Sequence, residues 1–332
     1  MASALSIVAT IVVQTNELTY AIPVVGVFAV AALRILPSMS RIFSGLSQMR
    51  QSIPAIHDLY SDYVMPGMQT EETKADGPAV SFEAEIVLKD VNYSYAGAGT
   101  AAVNDINITI KKGESVGFVG RSGAGKSTLA DIILGLLIPS SGNVLVDGRD
   151  IYSNLRSWQS RLGYVPQDIY LCDGSIRDNI AFGIEPDEID DRKIAAAIEN
   201  AYLSEVVANL PEGVQTIVGE HGVRLSAGQR QRIGIARALY HEPDVIILDE
   251  ATSSLDSQAE AIIADTIDNL KKDKTILIIA HRLTTVKRCH RLYLLENGVV
   301  SGVGSLDDLT ESNELFKEIT NTKMRNTLSA TT

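Results

Sequence analysis

The chain has 332 residues, 45% of them hydrophobic, enough for one large domain with an appendage or for two domains. It sets 29 Lys and Arg against 41 Asp and Glu, a formal net charge of −12. That balance argues against a nucleic-acid binder, which needs a basic face for phosphates. Cys172 and Cys289 lie far apart with no CxxC or Cys/His spacing. They make no zinc site by themselves and fit a reduced cytosolic domain.

No residue from Met1 to Asn16 is charged; Glu17 interrupts, and residues 18–33 are again uncharged. The run 18–36, with Arg34 inside it, approaches the roughly 20 apolar residues that a spanning helix needs. The earlier run ALSIVATIVV is short and reads as the tail of another helix. It lacks a preceding basic segment, which argues against a secretory signal peptide. A buried soluble helix is the alternative. Arg34, Arg41 and Arg50 follow the second run, whereas QTNELTY before it has no Lys or Arg. That asymmetry predicts a span whose C-terminal side faces the cytoplasm. Beyond it Ile42, Leu46, Met49, Ile53, Ile56, Leu59 and Tyr60 recur at helical spacing, with Pro54 a point of bending. Residues 65–78, MPGMQTEETKADGP, read as a linker. The expected division is therefore 1–64, the end of a membrane domain, then the linker, a catalytic domain over 79–322 and a flexible tail over 323–332.

From residue 79 onward short β-branched runs alternate with helical ones. Strands are expected at 86–95, 105–110, 115–119, 143–146, 245–248, 275–279 and 292–295. Helices are expected at 126–137, 191–202, 227–240, 258–270 and 306–320. Such alternation predicts an α/β fold, a parallel sheet with helices packed on it.

Three segments carry chemistry. Gly120, Arg121, Ser122, Gly123, Ala124, Gly125, Lys126, Ser127 and Thr128 follow the apolar strand SVGFV and open the helix STLADIILGLL. Glycines there allow close backbone approach, so that successive N–H groups and the helix N-terminus face phosphates. Lys126 would reach the β and γ phosphates and Ser127 would ligate Mg²⁺. Second, the apolar strand VIIL ends in Asp249 and Glu250, at the strand end where parallel sheets bind ligands. Asp249 would hold Mg²⁺ through water and Glu250 would polarise the attacking water. Third, Ser226 stands at the N-cap of the helical run AGQRQRIGIARALY, and Gly228 leaves its backbone open. With Ala227 and Gln229 this is a second helix start prepared for an anion. One nucleotide needs one such cradle, so the second points to a nucleotide on a neighbouring chain, unless it is an ordinary capped helix.

Taken in order, these segments resemble the ATPase domain of ABC transporters over residues 86–304. Tyr164-Val-Pro-Gln167 is similar to that family's Q-loop, and Thr216-Ile-Val-Gly-Glu220 to the segment before the exporter signature. Ser253-Ser-Leu-Asp256 resembles the D-loop and Ala280-His281-Arg282 the switch histidine. The resemblance implies a phosphate-loop core with an antiparallel β subdomain and a helical subdomain. It implies ATP and Mg²⁺ as cofactors, adenine stacked on Tyr95, and metal held by Ser127, Gln167 and Asp249. Catalysis would fall to Glu250, His281, Lys126 and Gln167, with Asp256 and the signature residues Ser226, Ala227, Gly228 and Gln229 completing the nucleotide site. One departure is visible: Ala227 replaces the second-last glycine of LSGGQ, a change that a negative φ would tolerate. Trp158 and the other histidines, His57, His221, His241 and His290, are expected to be structural or exposed.

Residues 18–63 resemble the last membrane helix and cytoplasmic extension of exporter half-transporters. Bacterial flippases for lipid-linked oligosaccharides and related lipid exporters are the nearest likeness. This implies ATP-driven export at the inner (plasma) membrane with the ATPase domain in the cytoplasm. The implied partners are a second ATPase domain, a transmembrane domain and membrane lipid, with no nucleic acid. Two rivals remain at the level of sequence: a soluble ABC-type ATPase acting on nucleic acid or ribosomes, and a truncated, non-transporting fragment, since a full half-transporter has six spans.

Overall fold

The computed structural model describes residues 6, 10, 18–64, 77–250, 257–280 and 283–319. It divides into two compact units, Met1–Glu72 and Thr73–Thr332, each considered by itself.

The first unit is dominated by one helix, α1 (Leu18–Val64), 47 residues long and continuous through Pro23, Pro37 and Pro54. At 1.5 Å per residue it runs about 70 Å, more than twice the roughly 30 Å of bilayer hydrocarbon. Among its described side chains Val27, Leu33, Leu36, Phe43, Met49 and Leu59 are all more than half exposed. An apolar surface of this extent is not stable against water. The segment Pro23–Tyr60 is long and apolar enough to cross a membrane, and the helix fits a preceding membrane span.

The second unit holds two sheets. The smaller is antiparallel, in the order β2 (Val103–Lys111), β1 (Glu85–Tyr93), β4 (Ser141–Val146), β5 (Arg149–Asp150). The larger has six strands in the order β10 (Val299–Gly304), β9 (Arg291–Glu296), β3 (Ser115–Val119), β8 (Thr275–Ile279), β7 (Val245–Asp249), β6 (Leu162–Val165). Its pairs are parallel except for β9 with β10.

The helices are α2 (Lys126–Ile133), α3 (Leu155–Gln159), α4 (Ile176–Ile180), α5 (Asp191–Asn200), α6 (Ser204–Ala208), α7 (Ala227–Tyr240), α8 (Ser257–Leu270), α9 (Leu283–Val286) and α10 (Leu306–Ser312). The large sheet is buried on both faces, as its continuous apolar strands require. Alternate residues of each strand face opposite ways. Ile246 and Leu248 of β7 and Ile276 and Ile278 of β8 join the core formed with α5, α7 and α8. Val245, Ile247, Leu277 and Ile279 join the other core, with α2 and the antiparallel sheet. Helices α2 and α7 thus lie on opposite faces of one sheet.

Strands β3 and β8 fall on their expected residues, and α7 does too. Helix α2 stops at Ile133 rather than residue 137, because Gly135 adopts φ 72 and its N–H closes on Ile132 O. The expected helix 306–320 is broken at Asn313, which is extended (φ −119, ψ 113) and ends α10. Residues 314–319 then form a second helical stretch, and Thr320 lies outside the described residues. Strands β5, β6 and β10 and helices α3, α4, α6 and α9 were not expected from the sequence.

Candidate functional site

Strand β3 delivers the chain into the loop 120–125 and α2 takes it away. Two of the glycines are required by geometry. A Cβ at Gly120 would stand 2.4 Å from Leu295 O, and one at Gly125 would stand 2.5 Å from Ala102 O, with φ +98 besides. Gly125 is the N-cap of α2 and offers no side-chain cap. The first-turn N–H groups of α2 therefore keep no intrahelical partner and face an incoming anion. Ser122, Gly123 and Ser127 are exposed around this opening, whereas Ala124 and Thr128 are buried. Lys126 is 5% exposed and donates from Nζ to Gly120 O (3.2 Å) and Arg121 O (3.0 Å). Burial lowers its pKa, and Glu250 and Asp249 act against that shift. The Arg121 guanidinium pairs with Glu318 at 2.9 Å.

Asp249 closes β7, where it pairs with Ile279 of β8. It continues the alternation of Val245 and Ile247 and so shares the α2 face of the sheet. Burial, then the neighbouring Glu250 and Asp131 carboxylates, push its pKa up. Its Oδ1 is buried and has no hydrogen-bond partner among the described residues. A buried, crowded carboxylate oxygen with an open coordination position asks for a cation. An oxygen-ligated Mg²⁺ fits this donor set, with the exposed Ser127 hydroxyl and the Gln167 amide as the other candidate ligands.

Glu250 follows with φ 47, a left-handed conformation for a non-glycine residue, and its N–H donates to Ile279 O at 2.9 Å. Gln167 is exposed two residues beyond Val165, which pairs with Leu248. Register alone thus brings it to the same sheet end as Asp249. Tyr95 is 46% exposed, and its hydroxyl lies 3.2 Å from Thr128 Oγ1 on α2. Its ring meets Tyr93 edge-on at 5.1 Å. An aromatic surface is thereby held beside the phosphate loop.

The second helix start is capped as its sequence suggests. Ser226 Oγ accepts from Gln229 N–H, and Ser226 N–H donates to Gln229 Oε1 at 2.9 Å, a reciprocal capping box. Ala227 is the first residue of α7 and is not among the residues of positive φ, so its methyl group is tolerated. Gly228 serves packing as well as an open backbone: a Cβ there would lie 2.7 Å from Ala259 Cβ on α8.

Asp256, with the rest of 253–256, and His281 lie outside the described residues. Trp158 is fully buried and donates from Nε1 to Ile133 O, a packing role. The His290 ring is structural, engaging Ser115 through Nδ1. His57, His221 and His241 are exposed, and both cysteines are free.

Sequence reasoning assigned no role to Asp131, Tyr164 or Glu318. The alternation of Leu162 and Tyr164 on one face of β6 was the available signal for Tyr164. Its phenol lies within 3.5 Å of Asp249 Oδ2.

A phosphate loop on one face of the sheet, and a capped, anion-ready helix start on the other, define a nucleotide-binding domain of the ABC type. The sequence profile of the ABC transporter family matches residues 103–253, and this domain belongs to the ATP-binding domains of that family. The chain is 38% identical to an ATP-dependent lipid A-core flippase of Cupriavidus metallidurans, over 72% of this chain and 41% of the relative. It is 37% identical to a leukotoxin translocation ATP-binding protein of a Pasteurella haemolytica-like species, over 83% and 38%. A bacterial Atm1-family ABC exporter solved with ATP bound superposes with a TM-score of 0.71 at 31% identity, covering 83% of this chain and 48% of that one. The chain thus spans less than half the length of these relatives.

Proposed function

We propose that this chain is the ATP-hydrolysing part of an ABC exporter, paired through its catalytic domain with a second such domain and driving a membrane domain. One observation carries the reading: α2 and α7, whose N-termini are both shaped for phosphate, lie on opposite faces of one sheet. Each layer of such a stack adds about 10 Å, so the two starts of one chain do not address one triphosphate. A second domain arranged head to tail supplies the missing half of each site.

In this reading the loop amides and Lys126 hold the triphosphate, and Tyr95 stacks the base. Mg²⁺, held by Asp249, Ser127 and Gln167, supplies charge neutralisation at the phosphates. Glu250 orients and accepts a proton from the attacking water, and His281 contacts the γ-phosphate. Phosphoryl transfer needs mostly positioning and charge stabilisation, which these groups provide. ATP closes the pair and hydrolysis releases it, a switch that a membrane domain can use. Residues 1–64 are the end of that membrane domain, 65–78 the linker and 79–322 the catalytic domain, on the cytoplasmic side of the inner membrane. The acidic balance supports a transporter over an ATPase of nucleic acid or ribosomes. The lipid A-core flippase among its relatives favours a lipid as cargo.

The test is association driven by nucleotide. Size-exclusion chromatography with light scattering, with and without MgATP, should show the domain pairing only when ATP is bound. ATP binding with no pairing at any protein concentration overturns the reading. ATPase stimulation by lipid-linked sugars in liposomes then tests the cargo.

A further inference from the structure

The residue of interest is Tyr164, on β6. Leu162 of that strand packs against the core that contains α2, whereas Val165 belongs to the opposite core. Alternation therefore turns Tyr164 to the α2 face, the same face that Asp249 occupies on the adjacent strand. Parallel pairing sets Tyr164 against Ile247, two residues before Asp249, so the long phenol spans the offset. Its hydroxyl lies 3.5 Å from Asp249 Oδ2. The other carboxylate oxygen, Oδ1, is buried without a partner among the described residues.

We propose that Tyr164 is a positioning residue for the metal: its hydroxyl engages Oδ2 of Asp249 and so turns Oδ1 toward the cation. This inference rests on the nucleotide-binding reading given above. Three features of the site support it. A carboxylate left to itself rotates about its terminal torsion, which has broad wells, and one anchored oxygen removes that freedom. A phenol O–H is a donor at neutral pH, so the hydroxyl can anchor a carboxylate oxygen. Finally, Tyr164 stands three residues before Gln167, the amide candidate for the same metal, so one short segment bears on two of the candidate ligands. Partners of this kind are commonly worth 10- to 100-fold in metal affinity. At this contact distance the lower end of that range is expected.

Tyr164→Phe deletes the hydroxyl and keeps the ring. The experiment measures Mn²⁺ binding to the protein–nucleotide complex by electron paramagnetic resonance, using a non-hydrolysable ATP analogue. The same analogue is titrated in EDTA, and thermal melting is recorded without ligand. We expect Mn²⁺ affinity to fall about tenfold, with metal-free nucleotide affinity and melting temperature unchanged. Mn²⁺ affinity within twofold of the parent overturns the proposal, and so does an equal loss of nucleotide affinity in EDTA. If the parent protein itself binds no Mn²⁺–nucleotide, the nucleotide-binding reading fails instead.

Discussion

The Tyr95 hydroxyl lies 3.2 Å from Thr128 Oγ1, tying the aromatic at the end of the antiparallel sheet to the first turn of α2. The proposed base platform and the phosphate loop are therefore linked before any nucleotide arrives. Stacking on a base is worth about 1–3 kcal/mol by alanine substitution. Tyr95→Ala should lower ATP affinity at least about fivefold by that figure, read by titration with a fluorescent ATP analogue. Tyr95→Phe keeps the ring and should stay close to the parent. An equal loss in both variants would assign the effect to the hydroxyl rather than to stacking.

Glu250 sits at φ 47, a conformation that costs a non-glycine residue about 1–2 kcal/mol. The cost persists because β7 fixes Asp249 before it and Ile279 O of β8 holds its N–H, and strain of this kind gathers at functional sites. Glu250→Gln keeps the size of the side chain and removes its charge. It should retain ATP binding while turnover falls about 10²–10³-fold, the scale for losing one stabilising group. Glu250→Gly should be equally inactive yet melt higher, by about 2–4 °C for each kcal/mol relieved. Single-turnover hydrolysis and calorimetry separate the two effects, and unchanged turnover in Glu250→Gln would remove this residue from its role.

What could be read from the sequence depended on how local the physics was. The phosphate loop was legible because its glycines, lysine and helix are contiguous, and β3 and β8 because each is a five-residue run buried along its whole length. Strand β6, LGYV, carries a glycine and an exposed tyrosine, and β10, VVSGVG, alternates exposed and half-buried positions with two glycines. Neither offers a dense apolar signal. Gly302 of β10 is where a Cβ would come within 3.0 Å of Leu309, a constraint that only tertiary packing reveals. The Tyr164–Asp249 contact spans 85 positions and depends on strand register, so no local pattern announces it. Gly228 was legible as an open backbone, but its approach to Ala259 was not.

Asp147 caps the entry to β1. Its Oδ1 accepts from Ala84 N–H and Glu85 N–H, both at 2.9 Å, and its Oδ2 accepts from Glu83 N–H. Partial burial acts to raise its pKa, but these three donors, with Lys112, more than offset it and hold the carboxyl below its usual range. A depressed acid stabilises the fold above its unfolded pKa, near about 3.9, and that stabilisation fades as pH falls through the folded value. Asp147→Ala should therefore destabilise the domain at pH 7, by about 1 kcal/mol on the scale of a lost cap. The difference from the parent should shrink as the pH drops below about 4. Urea melts at both pH values check it; a gap that stays constant would show that charge plays no part.

Two adjacent residues at the start of α7 should differ in what their exchange does to pairing. Restoring a glycine at the departure from LSGGQ, Ala227→Gly, removes a methyl group that packs on the core and frees the backbone. It should cost at most about 1 kcal/mol and leave ATP-driven pairing and hydrolysis as they are. Gly228→Ala is favoured by helix propensity by about 1 kcal/mol. The new Cβ, however, would lie 2.7 Å from Ala259 Cβ, closer than two carbons tolerate. Overpacking of this kind costs about 1–3 kcal/mol and outweighs the propensity gain, so α7 must shift away from α8. Gly228→Ala should lower the melting temperature and weaken MgATP-driven pairing together, since the shifted helix carries Ser226. Pairing measured by light scattering decides the matter: normal association in Gly228→Ala would mean that α7 accommodates the methyl group without moving its capped start.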